Sequence, residues 1–140
     1  MTDEKINIFD VDSRTLVKDL TFARLYYINE IDLFEVEYQA NCLIDQKEAM
    51  QIIQANREFN NSSNRLAMAT ATKEYFNMTP EARVIFSEQM KLDVGFQKMA
   101  LVVNNLAYRI LSNFFIRFNR PVVPTKVFNS RKKALDWLLE

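Results

Sequence analysis

Residues 66–103, LAMATATKEYFNMTPEARVIFSEQMKLDVGFQKMALVV, decide the fold. The first six, Leu66 to Ala71, are small and apolar, as in a central buried strand that covering helices can approach closely. Thr79-Pro80-Glu81 then marks a helix start. Threonine can cap, proline suits the first helical position, and an acid in the first turn favours the positive helix end. The helix is expected to run to about Lys91, with Gly95, the chain's one glycine, in the tight turn beyond it. Phe96 to Val103 closes the unit as a second strand. Strand, helix, strand in this order predicts a parallel pair joined by a crossover.

The same alternation extends in both directions. Upstream, 20–28 (LTFARLYYI) reads as a strand, Asn29-Glu30 break the run, and 31–38 (IDLFEVEY) alternates apolar and charged residues. The two form a hairpin whose second strand is half-exposed. Glu35 and Glu37 fall on one face of that strand, and the expectation is an exposed outer face rather than a catalytic acid/base pair. Asp45 with Glu48 three residues on is a capping-box start. The helix it opens carries Ala49, Ile52, Ile53, Asn56 and Phe59 at helical spacing, and the Asn/Ser cluster 60–64 ends it. Downstream, Asn104 or Asn105 caps a helix over 105–118, Arg120-Pro121 stops it, 125–128 is a short strand, and Ser130 caps a last helix over 131–139. The fold class is therefore α/β: a mixed sheet with an N-terminal hairpin, then alternating helices and strands. Residues 19–140 form the domain. Residues 1–18 form an N-terminal extension to which the pattern assigns no firm element.

Composition excludes more than it selects. The chain's 140 residues fit one domain with a real core. Without histidine there is no His-based triad, no histidine general base and no histidine metal ligand. One glycine cannot build a phosphate-cradling loop, and one cysteine, Cys42, cannot make an internal disulfide or a zinc cluster. Asp10 and Asp12 alone do not make a metal site, so no metal and no cofactor is expected. Cys42 and the serines lack an activating base, so the chain is expected not to be an enzyme. No signal peptide or membrane-length apolar run is apparent, and a cytoplasmic location is the expectation.

A net charge of zero hides an asymmetry. Residues 1–93 hold 16 acids and 10 bases, whereas 94–135 hold eight bases and no acid. Such a block either packs beside the acidic part or faces anionic partners. The helix 105–118 adds detail. Spaced at about 100° per residue, Leu106, Ala107, Ile110, Leu111, Phe114 and Phe118 share one arc that can face the sheet. Tyr108 and Phe115 stand at its far rim, and Ile116 falls among Arg109, Asn113 and Arg117. An arginine and aromatic rim suits a protein contact, so Tyr108, Arg109, Phe115, Ile116 and Arg117, with Arg120 nearby, are the candidate interaction surface. The same helix could meet anionic lipid. Nucleic acid is not expected, since no reading element accompanies the charge. In the last helix, Arg131, Lys132 and Lys133 occupy the first turn, against the helix dipole.

Residues 111–138, LSNFFIRFNRPVVPTKVFNSRKKALDWL, closely resemble the tail of a family of small bacterial proteins of unknown function. The family is seen mostly in Bacteroidetes and is described as STAS-like or SpoIIAA-like. The run Asn113 to Pro121 and the segment Pro124 to Phe128 are the specific part, and the resemblance reaches back to about Phe22. It implies a mixed sheet flanked by helices, and a regulatory or binding module working through a protein partner or self-association. STAS domains that antagonise anti-sigma factors carry an Asp-Ser-Ser-Gly-like turn with a phosphorylated serine. Here Thr79 falls at or next to that switch position, with Pro80 and Glu81 where Ser and Gly would stand. Phosphate on Thr79 would meet a helix N-terminus, and a capping role explains the residue equally. SpoIIAA-like domains are also linked with CRAL-TRIO lipid-transfer domains. That link implies a small apolar or lipid ligand under the aromatic-rich helix, lined by Phe114 and Phe118.

Overall fold

The computed structural model describes residues 10, 13–59, 65–92, 96–106, 108, 109, 113 and 123–140. Its elements are β1 (Thr15–Asp19), β2 (Ala23–Ile28), a single 3-10 turn (Asn29–Ile31), β3 (Leu33–Tyr38), β4 (Cys42–Ile44) and α1 (Gln46–Phe59). Then follow β5 (Arg65–Ala71), β6 (Phe76–Met78), α2 (Pro80–Leu92), β7 (Phe96–Val103), β8 (Thr125–Phe128) and α3 (Arg131–Leu138). Leu106, Tyr108, Arg109 and Asn113 also have helical backbone, within the helix expected over 105–118. Gly95 lies outside the described residues.

Six strands form one sheet in the order β1-β2-β3-β5-β7-β8. The β1–β2 and β2–β3 pairs are antiparallel, and β3–β5, β5–β7 and β7–β8 are parallel. The α/β mixed sheet read from the sequence is the observed one. One layer of helices covers one face: Ala49, Ile52 and Ala55 of α1 and Ala82 of α2 pack on Phe34, Val36, Ala71 and Val103. The other face receives α3, whose Ala134, Leu135 and Leu138 are buried against Leu33, Leu66, Met68, Ala100 and Val102. The small residues of β5 serve both layers. Leu66 and Met68 point to α3, while Ala69 and Ala71 point to α1 and α2.

The caps hold as their local chemistry dictates. Asp45 N–H donates to Glu48 Oε1 at 3.1 Å, the return half of a capping box. Ala82 N–H donates to Thr79 Oγ1 at 3.1 Å, and Lys133 N–H to Ser130 Oγ at 3.2 Å. Tyr108 N–H meets Asn105 Oδ1 at 3.4 Å, which makes Asn105 the cap of its helix.

Three features depart from expectation. Thr15–Asp19, all but its last residue within the N-terminal extension, is a strand at the sheet edge, exposed along its length and irregular in register between Leu16 and Lys18. Bulges and lysines of this kind protect an edge from pairing with another chain. Second, Cys42–Ile44 and Phe76–Met78 pair as a small parallel sheet of their own. Short strands of three residues carry too little periodicity to be seen in sequence. Third, β3 is not half-exposed. It lies inside the sheet with a helical layer on each side, and five of its six residues are buried, Glu35 among them.

Candidate functional site

Between the sheet and the α1–α2 layer lies a cavity of about 240 Å³. Phe34, Val36 and Tyr38 of β3 form part of its floor, continued by Ala69 of β5 and Leu101 of β7. Strand alternation puts these side chains on one face, so the floor is a product of period-two patterning. Ile52 and Asn56 of α1 and Phe86 of α2 form the roof. Tyr38 and Phe76 lie with ring centroids 4.8 Å apart. The Tyr38 hydroxyl is buried among these groups, and that burial drives its ionisation far above the ordinary tyrosine range. The cavity is partly open, since Ala69 and Leu101 of its floor are only half-buried.

Polar groups in the wall are few. Arg83 donates from Nη1 to the Met78 carbonyl at 3.1 Å. Arg57 of α1 donates to Gln89 of α2, joining the second halves of the two helices beside the cavity. Asn56 is 9% exposed, and its Oδ1 has no hydrogen-bond partner among the described residues. Asn56 stood in the apolar stripe read along α1, and a polar residue inside such a stripe was the sequence signal for the site.

Tyr108, expected on an exposed rim, is half-buried and belongs to the cavity wall. Its hydroxyl donates to the Phe76 carbonyl, and its ring stands edge-on to Phe76 with centroids 6.3 Å apart. Leu106, placed by the wheel on the sheet-facing arc, is instead 63% exposed. The phenol finds a backbone acceptor on β6, a strand the sequence did not reveal, and the inward face at this turn is Tyr108's. Arg109 is half-buried beside it. Phe114, Phe115, Ile116, Arg117, Phe118 and Arg120 lie outside the described residues.

Thr79 sits at the junction of β6 and α2, not directly behind the central strand β5 as the STAS-type turn would have it. Its hydroxyl donates to Asp45 Oδ1 at 2.9 Å while accepting from Ala82 N–H. Cys42 donates its thiol to the Gln39 carbonyl at 2.9 Å, and burial pushes the thiol pKa up, away from nucleophilic use.

The opposite face holds an ionic cluster. Glu35 is 1% exposed and not on an outer surface. Arg14 reaches it at 3.1 Å and Arg131 at 3.2 Å, one guanidinium to each carboxylate oxygen. Arg14 also holds Glu37 at 2.9 Å and lies over the Tyr26 ring, 3.8 Å from its centroid. Burial works against the Arg14 charge, yet Glu35 and Glu37 beside it hold its pKa above the ordinary value. Burial likewise disfavours the Glu37 carboxylate, but hydrogen bonds from Arg14 and Gln39 hold it below the usual range. Every charge here is answered by an opposite one, which is a structural arrangement. It also accounts for Arg131 in the first turn of α3, so part of the basic block packs against the acidic part of the chain.

Among the described residues no group of three His, Cys, Asp or Glu side chains gathers as metal ligands, and no helix is long and apolar enough to cross a membrane. No curated protein matches the chain in sequence. Among solved structures, it is similar to an uncharacterised protein of the DUF3478 family from Shewanella loihica PV-4, which has a SpoIIAA-like fold. The TM-score is 0.56 at 12% identity, over 89% of this chain and 91% of the other. The strand order and helical layers described above are thus those of a SpoIIAA-like fold. A family model described as a domain of unknown function, DUF7793, matches residues 26–140, and the chain belongs to that family.

Proposed function

We propose that this SpoIIAA-like domain is a non-enzymatic binder of a small apolar ligand, held between the sheet and the α1–α2 layer. The observation that carries the proposal is the cavity of about 240 Å³ with its apolar floor of Phe34, Val36, Tyr38, Ala69 and Leu101. Well-packed interiors hold few spaces larger than a water molecule, whereas ligand sites are concave, mostly apolar and largely preformed. The only thiol among the described residues is half-buried with its pKa pushed up, and the ionic cluster is internally neutralised. Both support binding over chemistry. Of the surface expected for protein contacts, the described residues are Tyr108, which is turned into the cavity wall, and Arg109.

Two measurements test the proposal together: native mass spectrometry of the protein purified from its own host, and calorimetric titration of the delipidated protein with 1-octanol. Extra mass released on denaturation, or saturable one-site uptake of 1-octanol, is the expected result. A bare protein that also takes up no 1-octanol overturns it. Salt-sensitive flotation with acidic liposomes, without bound mass or octanol uptake, would replace it with the membrane-surface reading.

A further inference from the structure

We infer that the ligand is an elongated amphiphile with a single carboxylate head, and that Arg83 in the cavity wall receives that head. This rests on the apolar-ligand reading above and deepens it. Among the described residues that line the cavity, Arg83 is the one charged side chain, and no Asp or Glu stands with it. Its Nη1 donates to the Met78 carbonyl at 3.1 Å, which ties the guanidinium to β6, itself part of the wall. A guanidinium carries five N–H donors in a planar fork and can serve more than one acceptor. Arg83 is half-buried. A head bound there keeps contact with water, so the desolvation that penalises a fully buried ion pair is only partly incurred.

The class of head follows from the charges in the wall. One cation suits one negative charge, and a carboxylate matches the arginine fork with two parallel N–H···O bonds. A phosphate monoester brings nearly two negative charges at neutral pH, more than one guanidinium answers. An ammonium head would meet a like charge in an otherwise apolar wall. The course of the body follows from the floor. Ala67, Ala69 and Ala71 of the central strand β5 line the cavity together. In register beside them stand Phe34 and Val36 on β3, and Met99 and Leu101 on β7. Large side chains on both sides of a row of methyl groups leave a furrow along β5, about 13 Å long at about 3.3 Å of strand per residue. The apolar body lies along that furrow.

The test is calorimetric titration of the delipidated protein at pH 7 with octanoate, 1-octanol and octylammonium, which share one chain length and differ in the head. The wild type is expected to bind octanoate at least as tightly as 1-octanol, and octylammonium more weakly than either. Arg83→Gln is expected to lose affinity for octanoate by about 10- to 100-fold, the range for a hydrogen bond to a charged group, with 1-octanol little changed. Retained uptake of 1-octanol reports that the cavity of the variant is intact. If Arg83→Gln does not fold, the wild-type comparison decides: octylammonium binding as tightly as octanoate overturns the anionic head. Octanoate binding more weakly than 1-octanol in the wild type, or undiminished in a folded Arg83→Gln protein, overturns the role of Arg83 and leaves the apolar-ligand reading standing. Failure of the wild type to bind any of the three removes the apolar-ligand reading itself.

Discussion

Arg131, the first residue of α3, holds the Glu35 carboxylate of β3 at 3.2 Å across 96 residues of sequence. The contact closes the ionic cluster from above the sheet while Arg14 closes it from the edge. A cation in the first turn of a helix is unfavourable by a few tenths of a kcal/mol when exposed. An almost fully buried carboxylate opposite it reverses that balance. Removing Glu35 should therefore cost far more than removing either arginine. Glu35→Ala is expected to lower unfolding stability by about 3–5 kcal/mol, because two guanidinium groups lose their shared partner. Arg131→Ala should cost about 1.5–3 kcal/mol, the range of one hydrogen bond to a charged group, since Arg14 still covers Glu35. Urea titration of the three proteins checks the order.

Thr79 is expected to behave as a cap. Its hydroxyl bonds both Ala82 N–H and Asp45 Oδ1, so it ties the start of α2 to the start of α1. Thr79→Ala should lower stability by about 0.5–2 kcal/mol, and Thr79→Ser should recover most of it. Thr79→Glu brings a second carboxylate toward Asp45 and should melt at or below the alanine variant, most clearly at low ionic strength. A glutamate variant as stable as wild type would contradict the capping account and favour a switch.

Acid should destabilise the domain through carboxylates with depressed pKa values. Burial works against the charged form of Asp32, but hydrogen bonds from Tyr27 and Arg65 hold its pKa below the ordinary value. Glu37 is held low by Arg14 and Gln39 in the same way. In the unfolded chain these groups titrate near their ordinary values, about 3.9 and 4.3. Their contribution to stability is thus complete above those values and is lost as pH falls through the lower folded ones. Denaturant midpoints measured from pH 6 downward should fall below about pH 4. Asp32→Asn and Glu37→Gln should each flatten that fall.

Ala69 points from β5 into the cavity. Ala69→Phe is expected to fill part of the space, to abolish uptake of 1-octanol, and to leave the unfolding free energy within about 3 kcal/mol of wild type, the usual bound for a core enlargement. Retained octanol binding in a folded Ala69→Phe protein would place the ligand elsewhere.

Much of the architecture is local and was legible in the chain. The starts of α1, α2 and α3 are written in Asp45 and Glu48, in Thr79-Pro80, and in Ser130, because a cap is made by residues three apart. The central strands β5 and β7 stand out by composition, and helices between strands require parallel pairing. The family resemblance rested on the tail, 111–138, and agrees with the fold observed. What no local pattern carries is which distant groups arrive at a given face. The alternation of IDLFEVEY says that Glu35 and Glu37 share a side. That this side is closed depends on Arg14 and Arg131, which come from outside the hairpin at opposite ends of the domain. Tyr108 turned inward for the same reason, since its acceptor lies on β6, 32 residues away. The cavity is a residue of packing, the volume left when two helices settle on a twisted sheet, and only the assembled layers define it. The sequence determined the order of the longer strands and the helices, though not β1, β4 or β6, and one polar residue in the stripe of α1. The tertiary structure decided that Asn56 would be buried there, its Oδ1 unpaired among the described residues.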